Sequence, residues 1–165
     1  MSMFVHDVVK AQGHGNIRAL HRNTLEITKD PAVTPRGDCI VACRANKAAA
    51  DLRPEVRERI RHLDSLVIVV IRAGPVQDVV LCEGSPRLTL RDRSRIIIRK
   101  STYVDDATIC IRANKAAADL DRRLINYICM CSEVEVEIIA GRLSEIKEFL
   151  RGQEEAHQSD CSASG

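Results

Sequence analysis

The nonapeptide RANKAAADL occupies residues 44–52 and returns letter for letter at residues 112–120. Sliding one copy over the other extends the likeness almost to both ends. His6-Asp7-Val8-Val9 aligns with Gln77-Asp78-Val79-Val80, Gly13 with Gly84, Ile17 with Leu88, and Leu25-Glu26-Ile27-Thr28-Lys29 with Ile96-Ile97-Ile98-Arg99-Lys100, all at an offset of 71. Across the identical nonapeptide the offset is 68, so the preceding loop, which holds Pro31 and Pro35, is three residues longer in the first copy. Residues 67–74 then match 134–141. An internal period of this length constrains the fold more than any single residue, because a repeated unit is built to cover a face that it cannot bury alone. The expectation is an α+β fold. Two homologous halves, residues 3–74 and 75–141, share one β-rich domain over residues 1–141, with pseudo-twofold symmetry, a barrel-like form and one helix per repeat packed against it.

The composition fits a shared interior. The 165 residues are 45% apolar yet include only two Phe, two Tyr and no Trp, so the core is aliphatic. The net charge of +2 excludes few partners, although Arg outnumbers Lys about threefold, and Arg suits planar contacts with phosphate and carboxylate. No apolar run reaches the ~20 residues of a membrane span. The start, MSMFVHDVV, lacks the basic-then-apolar layout of a signal peptide. A soluble cytoplasmic protein without a membrane partner is expected. The seven Cys form no CxxC pair, and Cys39, Cys43 and Cys110 fall in apolar runs where a free thiol acts as a small core hydrophobe. Disulfides, which a reducing cytosol disfavours, are the less expected alternative.

Residues 4–11 read as a strand and Gly13-His14-Gly15-Asn16 as a turn. Alternation then places Ile17, Ala19, Leu25 and Ile27 on one buried face of a hairpin turning at His21-Arg22-Asn23, with Glu26 on the solvated face. Leu88, Leu90, Ile96 and Ile98 repeat the pattern. Residues 39–43, apolar on both faces, predict a central strand running into a helix with Asn46 as N-cap and Ala48, Ala49 and Ala50 in its first turns. Leu52, Val56, Ile60 and Leu63, like Leu120, Leu124 and Ile128, recur at helical spacing, and Pro54 suits a first helical turn. Residues 67–71 and 134–139 predict closing strands. An amphipathic helix is expected over residues 142–151, with Leu143, Ile146, Phe149 and Leu150 on one face, followed by a disordered tail over residues 152–165.

The strings GHGNIRALHRNTLEITKD, TPRGDCI and NKAAADL together resemble the archaeal uncharacterised family called domain of unknown function 371. The resemblance spans roughly the first 140 residues. It implies a cytoplasmic archaeal protein and supplies no activity, cofactor or catalytic residue.

Two groups of residues could carry chemistry. Antiparallel pairing in the hairpin, followed by the strand of residues 39–43, would gather His14, Lys29, Asp38 and Cys39 on one rim, with His21 at the far end of a strand that rises about 3.3 Å per residue. A thiol beside a cation ionises more readily and a His beside a carboxylate can act as general base, so the rim reads as an enzyme site in the first repeat. The alternative is turn chemistry around a core thiol. The second copy holds Ser85, Lys100, Asp106 and Ala107 there. The other group is basic. Residues 86–100 carry six Arg or Lys against Asp92 alone, with Arg91, Arg93 and Arg95 around a turn. Arg44, Asn46 and Lys47, with Arg112, Asn114 and Lys115, lie where a strand is expected to feed a helix N-terminus, which presents free N–H groups to an anion. The leading functional expectation is therefore binding of an anionic partner, either RNA backbone or a phosphorylated small molecule. Aromatic platforms for stacking bases are scarce. A homo-oligomeric scaffold is the remaining alternative. No metal site is expected, and no cofactor or oligomeric state can be read.

Overall fold

The structure, a computed structural model, describes residues 3–130 and 132–163. In chain order it contains β1 (Phe4–Gln12), β2 (Thr24–Thr28), β3 (Ile40–Ala42), α1 (Pro54–Ile60), β4 (Ser65–Ala73), β5 (Val76–Glu83), β6 (Arg95–Arg99), β7 (Thr108–Cys110), α2 (Arg122–Cys129), β8 (Glu133–Arg142) and α3 (Leu143–Ala163). The strands form two four-stranded sheets. The first runs β1-β8-β4-β5 and is antiparallel throughout. The second runs β3-β2-β6-β7, with β2 and β6 antiparallel at its centre and a parallel neighbour outside each.

Period-two patterning builds the space between the sheets. Val9, Ala11, Val67, Val69, Ile71, Val80, Val134, Val136 and Ile138 from the first sheet, and Leu25, Ile27, Ile96 and Ile98 from the second, are all buried in one core. Helix α1 packs against β1, β8 and β4, and α2 against β5 and β4. Each helix ends against a glycine. A Cβ on Gly13 would lie 1.8 Å from the Ile128 carbonyl oxygen, and one on Gly84 would lie 2.2 Å from that of Ile60, so only glycine lets these turns approach the helix ends.

The sheets meet at both edges through single bridges, Gln12 with Cys43 and Glu83 with Ile111. This corrects the barrel-like expectation: one bridged pair at each edge joins two open sheets without closing a barrel. The second edge is also covalently linked by a disulfide between Cys82 and Cys110, so Cys110 is not the free core thiol expected of it, whereas Cys43 is buried in the core.

The expected hairpin does not form either. Residues 17–20 are not a strand, and β2 pairs with β6 of the other half, Leu25 opposite Ile98 and Ile27 opposite Ile96. The cause is local and repeated: Ala19 and Leu90 take φ of 51° and 52°, a left-handed conformation that breaks an extended run. Ile17 and Ala19 are nevertheless buried, so the burial expectation holds while the pairing expectation fails. The strand of residues 39–43 shrinks to β3 and lies at a sheet edge rather than its centre. Its apolar character on both faces reflects the bridge to β1 and the loops around it.

No helix begins at Asn46. Arg44 and Arg112 are left-handed, with φ of 51° and 52°, and the alanines form only short 3₁₀ turns, Ala49–Asp51 and Ala117–Asp119. Pro54 occupies the first position of α1, as expected, and Val56, Ile60, Leu124 and Ile128 are buried, but Leu63 lies beyond the helix and is 84% exposed. Helix α3 continues past residue 151 to Ala163, and Phe149 and Leu150 stand exposed. The last two residues of the expected tail lie outside the described residues. No helix among the described residues is long and apolar enough to cross a membrane.

Candidate functional site

The duplicated nonapeptide is occupied by internal contacts. Asn46 bonds the edge of β1 twice, its Oδ1 accepting from Lys10 N at 2.9 Å and its N donating to Lys10 O at 2.9 Å. Lys47 Nζ lies 2.5 Å from Asp7 Oδ1, while Asp7 Oδ2 accepts from Arg53 N at 2.8 Å. Asp51 Oδ2 accepts from Ala48 N and holds Lys29 Nζ at 2.6 Å. The second nonapeptide makes the matching set: Asn114 with Leu81, Lys115 with Asp78 at 2.5 Å, Asp78 with Asp121 N, and Asp119 with Ala116 N and Lys100. Burial alone would push Asp7 and Asp78 up. The facing ammonium and two backbone N–H donors outweigh it and hold both below the ordinary carboxylate range. Among the expected anion ligands, Asn46, Lys47, Asn114 and Lys115 are therefore engaged, and Arg112 lies 3.5 Å from Glu83. Arg44, Arg91 and Arg93 are exposed.

The expected rim is not assembled. Lys29 turns to Asp51, and His14 serves its own turn, with Nδ1 accepting from Asn16 N at 3.0 Å. The cause is the parallel pairing of β2 with β3. It brings the entry to β3 beside the start of β2, so His21 rather than His14 meets Asp38: Leu20 N and His21 N both donate to the Asp38 carbonyl, at 3.0 and 3.1 Å.

A different cluster forms on the outward face of β2 and β6. His21 Nδ1 accepts from Asn23 N at 3.2 Å and Thr24 N at 3.0 Å, and lies 2.9 Å from Thr24 Oγ1. This assigns the ring proton of the neutral imidazole to Nε2. The Thr24 hydroxyl also hydrogen-bonds the Cys39 thiol. Beyond it lies Glu26, 8% exposed rather than solvated, with Arg95 Nη1 3.6 Å from its carboxylate. Burial pushes Glu26 above its ordinary value. Arg95 opposes that rise, and Asp30 and Asp92 add to it. Burial, and then the Glu26 charge, push the Cys39 thiol up as well. Among the described residues the Arg95 side chain makes, besides its contact with Glu26, a long contact of 3.4 Å with Asp92, and it remains 42% exposed. Arg99 is held more firmly, by Asp105 at 2.8 Å and Thr108 at 2.9 Å, with its guanidinium 4.8 Å from the centre of the Tyr103 ring.

Comparison of the aligned halves separates support from chemistry here. Asp92, opposite His21 in the alignment, accepts from Ser94 N and Arg95 N at 2.8 Å each, the same turn geometry. Ser85 likewise accepts from Arg87 N where His14 accepts from Asn16 N. Both imidazoles thus do the work of short turn-forming side chains. Asp38 departs from its match. Asp106 Oδ1 accepts from Thr89 Oγ1 at 2.6 Å, whereas Asp38 Oδ1 is buried without a hydrogen-bond partner among the described residues. Sequence reasoning found Cys39 and Arg95 but missed the association of Cys39 with Thr24 and of both with Glu26. The available signal was the spacing of Thr24, Glu26 and Thr28, which shares one strand face with Arg95 once β2 pairs with β6. Among the described residues no group of three or more His, Cys, Asp or Glu side chains is placed to hold a metal ion.

The model of a family of unknown function matches residues 9–141, which include both nonapeptides and the whole outward cluster. The chain is also 36% identical over 132 residues to an uncharacterized protein of Methanocaldococcus jannaschii, covering 80% of this chain and 97% of that relative. The chain belongs to the family described as domain of unknown function DUF371.

Proposed function

We propose that the outward face of β2 and β6 binds a small phosphorylated ligand, with Arg95 as its anchor. The observation that carries this reading is the incomplete pairing of a half-exposed guanidinium, with contacts of only 3.6 and 3.4 Å to Glu26 and Asp92. Arginine offers five N–H donors in a planar fork, and most of those of Arg95 have no close acceptor here. Glu26 is the companion group. Burial raises its pKa, so Glu26 takes up a proton at a higher pH than an exposed carboxyl would, and in that form it offers an approaching anion an O–H donor instead of a second negative charge. Thr24 adds a hydroxyl, and Arg93 stands at the turn beyond. Duplication of an ancestral half, related to its twin by a pseudo-twofold axis, accounts for this arrangement. One copy holds His21, Thr24, Glu26 and Cys39 where the other holds Asp92, Arg95, Ile97 and Ala107.

The measurement is calorimetric titration with inorganic phosphate, sugar phosphates and nucleotides against the parent chain and Arg95→Ala. Loss of one charge-assisted anion contact costs about 1.5–3 kcal/mol, so affinity should fall about tenfold to a hundredfold. Binding should also tighten as the pH is lowered toward the ordinary carboxylate range and Glu26 takes up its proton. An affinity unchanged by Arg95→Ala would remove this reading. A second reading, contact with RNA backbone, is supported by exposed Arg91 and Arg93, which form no ion pair with any described residue. Their neutralisation should flatten the salt dependence of RNA binding, and an unchanged slope argues against it.

A further inference from the structure

We propose that the cavity at the β1, β8 and β4 end of the first sheet binds a small zwitterion of the α-amino acid class. The cavity has a volume of about 800 Å³ and is lined by Lys10, Arg44, Arg72, Gly74, Glu133 and Glu135. It lies on the other sheet from Arg95 and does not depend on that site. Its volume falls in the range of small-molecule sites, ~300–1,000 Å³.

The charges of the lining are the reason for the assignment. Glu135 stands in register with Lys10 on one side and Arg72 on the other, and Glu133 with Gln12. Directly opposed residues on neighbouring strands are close enough to pair. Arg72 is fixed elsewhere, its Nη1 donating to Glu137 at 2.9 Å and its Nε to Gln77 at 3.1 Å. The side chains of Lys10, Arg44, Glu133 and Glu135 make no hydrogen bond or ion pair with any described residue. A wall of cations alone would suit phosphate, and carboxylates alone would suit a metal or polyamine. Two free cations and two free carboxylates around one cavity match a ligand that carries both signs.

The aligned positions of the second half carry different side chains. There Leu81 replaces Lys10, Ile139 replaces Arg72, and Glu83 replaces Gln12. Glu83 accepts the charge of Arg112 at 3.5 Å. Gln12 removes that partner from Arg44, so the left-handed backbone shared by Arg44 and Arg112 carries a free guanidinium in the first half only. In the bound state Arg44 and Lys10 hold the carboxylate, and Glu133 and Glu135 hold the ammonium.

The test is an amide NMR titration of the full chain with the free amino acids at millimolar concentration. It is repeated with the preferred amino acid acetylated on its amine and amidated on its carboxylate. Saturable shifts confined to residues 10–12, 44, 72–74 and 132–135 are expected for at least one amino acid. Arg44→Ala and Glu135→Gln should each weaken binding at least about tenfold, the value of one charge-assisted contact. Both variants change exposed side chains, and their spectra report directly whether the fold is kept. No saturable shift with any amino acid overturns the proposal, as does equal binding of the acetylated or amidated form, or an affinity that neither variant changes.

Discussion

Glu26 and Ile97 face each other across the centre of the second sheet, a carboxylate and an aliphatic side chain on equivalent strands in direct register. The carboxylate is buried and its folded pKa is raised, which fixes the sign of its effect on stability. Below the ordinary carboxylate range it is neutral in both folded and unfolded chains. As the pH rises the unfolded chain ionises first, so stability is lost until the pH passes the folded value, and above that the loss is constant. Glu26→Gln removes this penalty. At neutral pH its Tm should exceed that of the parent by roughly 2–4 °C, the effect of about 1 kcal/mol in a chain of this size, and the two should converge near pH 4. A gap that persists undiminished into acid would show that ionisation is not the source. Cys39 responds to the same carboxylate. Its thiol is held above the ordinary range by burial and by Glu26, so alkylation with iodoacetamide near neutral pH should be slower than that of a free thiol and faster in Glu26→Gln. Parent and variant reacting at one rate would mean that the carboxylate does not act on the sulfur.

At the scale of elements, the nonapeptides lock β1 and β5 to the segments that enter α1 and α2. Each lock is a carboxylate, buried at Asp7 and partly exposed at Asp78, that accepts two backbone N–H groups and one ammonium: Asp7 from Val8, Arg53 and Lys47, and Asp78 from Val79, Asp121 and Lys115. Asp7→Asn and Asp78→Asn should each destabilise by about 2–4 kcal/mol at neutral pH, because an amide replaces the charge and turns donors toward donors. Here the folded pKa lies below the ordinary value. The contribution is present above the ordinary carboxylate range and is lost as the pH falls through the folded value, so denaturant titrations should show the gap to the parent narrowing in strong acid. A deficit independent of pH would point to packing instead. These elements also show how far the sequence could be read. Alternation in residues 67–71 and 134–139, the spacing of Val56 and Ile60, and the first-turn position of Pro54 identified strands, helix faces and core residues, because period and proline geometry are local properties. Strand partners are not local. A hairpin is the shortest closure for residues 17–27, but β2 instead pairs with β6, some seventy residues away, and the left-handed Ala19 leaves no strand beside it. That difference, together with the parallel pairing of β2 with β3, moved Cys39 from His14 and Lys29 to Thr24 and Glu26.

At the scale of the molecule, two sheets held by one bridge at each edge depend on those edges, and the edges are unequal. At the β5 and β7 edge, Glu83 N donates to Ile111 O at 2.8 Å, Ile111 N donates to Glu83 O at 2.9 Å, and the disulfide Cys82–Cys110 lies beside them. At the β1 and β3 edge the bridge is the same, Gln12 N to Cys43 O and Cys43 N to Gln12 O at 2.8 Å each, but the aligned residues are Ala11 and Ala42. Only hydrogen bonds and packing keep that edge shut. A cross-link spanning 28 residues restricts the unfolded chain by about 3.5 kcal/mol in the loop-entropy account. Replacing both cysteines by alanine should therefore lower the Tm by roughly 7–14 °C. Hydrogen exchange locates the effect. In the parent, amides of Glu83 and Ile111 should exchange more slowly than those of Gln12 and Cys43, because opening the first pair requires the cross-linked edge to part while the second opens locally. In the double-alanine chain the two edges carry the same bridge and the same pair of small side chains, and their exchange rates should converge. If the edges already exchange alike in the parent, the disulfide is not what distinguishes them and the bridges alone set how the sheets separate.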